Sequence, residues 1–76
     1  MFLTLTMKAD SGSADIRIDS EQTLGAGLGI LRESGQLPPG NPPDYFRSHL
    51  NEVMVSAYQT FEEASIFDGD ILTAVG

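Results

Sequence analysis

Few residues in this chain are of a type that does chemistry. There is one histidine, His49, there is no cysteine, and no serine stands beside a recognisable base and orienting group. Nucleophilic catalysis therefore has no candidate, and the chain reads as a non-enzyme. Asp68 and Asp70 are spaced as calcium ligands can be, but an EF-hand needs further oxygen donors and a closing glutamate at fixed spacing. With Gly69 between them they read as turn residues, and no metal or cofactor is expected. An exposed strand histidine such as His49 needs no functional explanation on its own. Gly25, Gly27 and Gly29 suggest a nucleotide loop, yet G-x-G-x-x-G would require glycine where Ile30 stands. A P-x-x-P pattern occurs at Pro39 to Pro42, inside a stretch better read as a stiff connector.

Eleven acidic side chains face four basic ones, a formal charge of −7. That balance argues against nucleic acid as a partner, because phosphate contacts need clustered cations. Seventy-six residues suffice for one domain, residues 1–76, which at this size buries only about 60% of its unfolded surface. Without cysteine, neither disulfides nor thiolate metal sites brace it. No basic, then apolar leader is present, and no run approaches the roughly 18 apolar residues of a membrane span. A soluble, cytoplasmic protein without membrane insertion is expected.

The elements that would position a surface are legible by period. Phe2 to Met7 alternates, with Leu3, Leu5 and Met7 on one face; Ala14 to Ile18 alternates with Ile16 and Ile18 inward. The turn cluster Ala9 to Ser13 joins them as a hairpin. Asp19, Ser20 and Thr23 are all candidate caps for a helix carrying Leu24, Leu28 and Leu31 and stopping at Gly35. Three glycines inside that helix should each cost about 1 kcal/mol relative to alanine. Gly27 shares a side with Leu24 and Leu31, which suggests close approach to the sheet; Gly25 and Gly29 are left open between that role and a smooth surface for a partner. Leu37 to Pro43 is the connector. Tyr45 to Leu50 alternates, with Phe46, Ser48 and Leu50 on one side, and Asn51-Glu52 turns the chain into Val53 to Ser56.

Thr60 then opens a helical turn, with Glu63 three residues on in capping-box spacing, and Phe61, Ala64 and Ile66 as core anchors. Asp68-Gly69-Asp70 turns into a last strand, Ile71 to Val75. The order is β-β-α-β-β-turn-β, which resembles the ubiquitin-like β-grasp fold over nearly the whole chain. Ser56, Thr60-Phe61-Glu62-Glu63-Ala64-Ser65-Ile66 and Gly69-Asp70-Ile71-Leu72 look most like the YukD/EsaB-type accessory proteins of Gram-positive type VII secretion systems. The resemblance implies an α+β fold, a mixed sheet of order 2-1-5-3-4 with one helix packed across one face. The core is then expected from Leu3, Leu5, Ile16, Ile18, Leu24, Leu28, Leu31, Leu50, Val55, Phe61, Ile66, Leu72 and Ala74.

Ubiquitin and the sulfur carriers of this fold act through a flexible tail ending in two glycines. Here a single glycine follows the strand in Thr73-Ala74-Val75-Gly76, and Lys8 is the only lysine, so conjugation is not expected. What remains is a surface. Strand alternation puts Phe2, Thr4, Thr6, Arg17, Tyr45, Arg47, His49, Ile71, Thr73 and Val75 on the face away from the helix. Aromatic and arginine side chains are typical of binding patches, and Phe2, Arg17, Tyr45, Arg47 and His49 are the candidate contacts. The function expected is that of a non-catalytic adaptor binding a protein, part of a type VII secretion machine. Alternatives are a carrier activated at Gly76, and a self-associating module, with room for a homodimer through an edge strand or the helix glycines.

Overall fold

The computed structural model describes residues 1–10 and 12–75. It contains strands β1 (Phe2–Ala9) and β2 (Gly12–Asp19), helix α1 (Leu24–Glu33), then strands β3 (Tyr45–Ser48), β4 (Val53–Ser56) and β5 (Ile71–Val75). The strands form one sheet in the order β2-β1-β5-β3-β4, with β1 and β5 parallel and the other pairs antiparallel. No helix among the described residues is long and apolar enough to cross a membrane. Alternation in β1 runs past Met7 to Ala9, which pairs directly with Gly12 of β2. Asp10 takes positive φ there, as such short hairpins require; Ser11 of the expected turn cluster lies outside the described residues.

Of the three candidate caps, Thr23 starts α1, its hydroxyl accepting from the Ala26 N–H at 3.1 Å. Two other free donors of the first turn are also met, Leu24 N–H by the Gln59 carbonyl and Gly25 N–H by that of Ala57, and Gly27 N–H opens the regular helix ladder on the Thr23 carbonyl. Two glycines are thereby explained. A Cβ on Gly25 would lie 3.2 Å from the Ala57 oxygen, wedging that bond apart. A Cβ on Gly27 would meet Phe61, Met7 and Ile18 at 3.1 to 3.4 Å, all of them buried. Gly29 faces open space. At its other end the helix closes through Gly35 at positive φ, with Gln36 N–H reaching back to the Leu31 carbonyl and Gly35 N–H to that of Arg32.

The connector is anchored as well as stiff. Leu37 is buried, and Arg32, its side chain 14% exposed, donates to the carbonyls of Pro38, Gly40 and Asn41 at 3.1 to 3.2 Å. Its remaining nitrogen lies 3.7 Å from the Asp10 carboxylate. The Thr60 turn forms the reciprocal capping box: Glu63 N–H donates to the Thr60 hydroxyl and Thr60 N–H to the Glu63 carboxylate, at 3.0 and 2.9 Å. Phe61, Ala64 and Ile66 are all buried.

Leu50 is not in the core. It is 55% exposed, because β3 ends at Ser48 rather than Leu50. The cause is Asp70, which is 1% exposed and accepts from the Ser48 hydroxyl and the Leu50 and Ile71 N–H groups. That carboxylate draws the chain after Ser48 into a turn and sends Leu50 outward. Its neighbour Asp68 accepts from Thr4 N–H at 2.8 Å, so both aspartates serve backbone donors. Ala74 is only partly buried against the core, whereas Met7, Ala9, Leu37, Phe46 and Ala57 are buried members beyond the expected set.

Denaturation of three variants tests these assignments. Gly29→Ala should stabilise the protein by up to about 1 kcal/mol, the helix gain alone. Gly27→Ala should destabilise it by about 1 kcal/mol or more, because crowding in the core outweighs that gain. Asp70→Ala, which strands the buried Ser48 hydroxyl and a turn amide, should cost about 3 kcal/mol in the same assay.

Candidate functional site

Cross-strand register builds the face away from the helix. One row across it reads Met54, Arg47, Thr73, Lys8 and Ser13, from β4 through β3, β5 and β1 to β2. A second row sets Tyr45 between Ser56 and Val75. Tyr45, Arg47, Met54, Thr73, Val75 and Lys8 are all exposed. Towards the other end of β1, Thr6 pairs with Ile71 and donates its hydroxyl to Asp15 at 2.6 Å, and Thr4 faces Arg17. The Arg17 guanidinium carbon sits 4.7 Å from the Phe2 ring centroid, a cation–π contact worth about 0.5–1 kcal/mol when exposed.

Four of the five residues picked from the sequence, Phe2, Arg17, Tyr45 and Arg47, therefore share the face but not one spot. Phe2 and Arg17 form a corner on β1 and β2, while Tyr45 and Arg47 lie on β3 with β1 and β5 intervening. Strand spacing and rise put Arg17 and Arg47 roughly 20 Å apart at the backbone. His49 is in the turn beyond β3, exposed, its N–H bonded to the Ile71 carbonyl. Lys8 and Met54 are additions beside Arg47. Lys8 is signalled by carrying the β1 alternation two residues further; Met54 is signalled only by its neighbour Val55 facing inward.

The electrostatics of this face differ from those of the whole chain. Lys8, Arg17 and Arg47 are three of the four basic side chains, and Asp15 and Asp19 are the acids placed with them. The rest of the sequence sets nine acids against Arg32 alone. Asp19 is held below the ordinary carboxylate range, chiefly by the backbone N–H of Glu21 donating to it at 3.0 Å, then by the Met1 amino group 3.6 Å away. Beside Lys8 lies an open depression of about 470 Å³, lined also by Asp10, Ser13 and Thr73. Among the described residues no three His, Asp or Glu side chains converge as a metal site. Gly76, the carrier candidate, lies outside the described residues.

No protein-family profile and no curated protein matches the chain. Solved structures do match. The ubiquitin of Caldiarchaeum subterraneum superposes with a TM-score of 0.60 at 16% identity, over 100% of this chain and 96% of that one. The fold is ubiquitin-like. The C-terminal ubiquitin-like domain of mouse tubulin-specific chaperone e gives 0.59 at 17% identity, over 96% of this chain and 84% of its own. At such identities the likeness establishes the α+β, β-grasp architecture: a small mixed sheet with one helix across a face.

A depressed carboxyl in the folded state has a defined consequence for pH. Stability from Asp19 is fully present above its unfolded value, near 3.8, and is lost as pH falls through its lower folded value. An NMR titration of the Asp19 side chain should give a midpoint below 3.8. A midpoint at or above that value would deny the two contacts any hold on the carboxylate.

Proposed function

We propose that this chain is a non-catalytic, ubiquitin-like adaptor of a Gram-positive type VII secretion system, binding a cytoplasmic part of the machine through the outer sheet face. The observation that carries the binding face is the gathering there of Lys8, Arg17 and Arg47 in a chain of net charge −7, with Tyr45, Met54 and Val75 exposed in the rows around Arg47. Arg47 and Tyr45 supply a guanidinium fork and an aromatic, the side chains that most often anchor protein interfaces. The Phe2–Arg17 corner and His49 provide outlying contacts. The sign of the face favours a partner segment bearing carboxylates around an apolar residue, approaching by electrostatic complementarity. The secretion system itself is suggested by the resemblance of Ser56, Thr60 to Ile66 and Gly69 to Leu72 to the YukD/EsaB-type proteins.

Affinity purification from the native cells, with a tag on a long N-terminal linker, tests this reading. Wild type should retain components of the secretion machine, and Arg47→Glu should lose them while changing stability by less than about 0.5 kcal/mol. Equal recovery by the variant would remove the face from the proposal. Covalent adducts through Gly76 would replace the adaptor with a carrier, and recovery of the protein alone would favour self-association.

A further inference from the structure

At the end of the molecule where β1 begins, Met1, Leu3, Ile66 and Phe67 line a cleft of about 460 Å³ with Glu21 and Glu62 beside them. Its walls are fixed by backbone bonds: Ser20 N–H to the Met1 carbonyl at 2.7 Å, Glu62 N–H to that of Ser20 at 3.0 Å, and Gly69 N–H to that of Thr4 at 2.8 Å. Phe67 is 61% exposed although the residues on both sides of it are tied down, Ile66 in the core and Asp68 on the Thr4 amide. Ser65, just before this stretch, holds positive φ, a costly conformation for a non-glycine residue. The aromatic ring is thus presented to solvent by a fixed backbone. The Met1 side chain is exposed as well, over the buried Leu3.

The charge on this cleft has the opposite sign to that of the outer sheet face. Glu21 and Glu62 are exposed and make no ion pair among the described residues, whereas Asp19 nearby is engaged by the Met1 amino group. Two free carboxylates beside an aromatic and a methionine match an apolar anchor carried between cations, and the chain's net charge of −7 attracts the same ligand at long range. We infer that this cleft is a second docking site, taking a partner segment in which an apolar side chain is flanked by lysine or arginine. It is independent of the outer face and of the secretion assignment.

The test is an amide NMR titration of the full chain with acetyl-Ser-Arg-Arg-Leu-Leu-Arg-Arg-Ser-amide. Two controls replace the leucines by glycine or the arginines by glutamate. The basic leucine peptide should shift the amides of Leu3, Glu21, Ile66 and Phe67 saturably, with a Kd at or below about 1 mM. Phe67→Ala and Glu62→Lys, both at exposed positions, should each weaken it about fivefold or more. The site would be overturned by equal binding of the glycine control, by shifts scattered over other acidic residues, or by no saturable shift. Concentration-dependent broadening of the same amides without peptide would overturn the foreign occupant in favour of a second copy.

Discussion

The structure depends on a backbone seam between residues 20–25 and 57–62. Four hydrogen bonds close it: Leu24 N–H to Gln59, Gly25 N–H to Ala57, Phe61 N–H to Gln22 and Glu62 N–H to Ser20. Helix starts normally look to side chains or water for their free amides. Here the chain that follows β4 supplies two of the carbonyls, so the helix and the capped turn are seated together. The seam carries Phe61 under Gly27, where it meets Met7 and Ile18 of the sheet. Gly25 and Gly27 follow from that seating, since neither position has room for a methyl group beside its neighbour. The conformational cost of two helix glycines is offset by backbone bonds and aromatic burial.

A second constraint acts at the far side of the sheet. Asp70 is buried without a cation, and its charge is met by three donors, two of them amides and one the Ser48 hydroxyl. Burying a carboxylate is tolerated when its oxygens are fully hydrogen-bonded. The network fixes where β3 stops and where β5 starts, and so sets the register Arg47↔Thr73 and Tyr45↔Val75. The face proposed for binding inherits its geometry from this carboxylate, although Asp70 lies beneath it.

Period-2 alternation in β1 and β2 and the leucine spacing of α1 are enough to read the element order, and the capping-box spacing at Thr60 locates the turn that plugs the core. Each is a local signal. Leu50 escapes such a reading because alternation continues in sequence after the strand has ended, and the side chain that ends it, Asp70, is twenty residues away. Leu37 and Arg32 share that difficulty: a proline-rich segment looks like a tether until the guanidinium that bonds three of its carbonyls is seen. The candidate surface is legible as a face but not as clusters, because register across β5 decides which outward residues meet. Lys8 and Met54 join Arg47 only through that register.

Gly29 is the residue that neither constraint explains. A Cβ placed there would have no neighbour within 4 Å, while Gly25 and Gly27 in the same helix are forced by contact. Gly29 lies in α1 rather than on a strand of the outer face, and it does not line the Phe67 cleft. The two surfaces differ in a way that follows from the sequence composition. With only four cations available, fixing Arg32 in the connector and placing the other three on one sheet face leaves the remainder of the surface acidic. A domain so polarised presents opposite chemistry in two directions at little cost in fold, because the residues concerned are exposed and the core is built without them. Under the two proposals, that separation would let one small ubiquitin-like domain hold an acidic partner and a basic one at the same time.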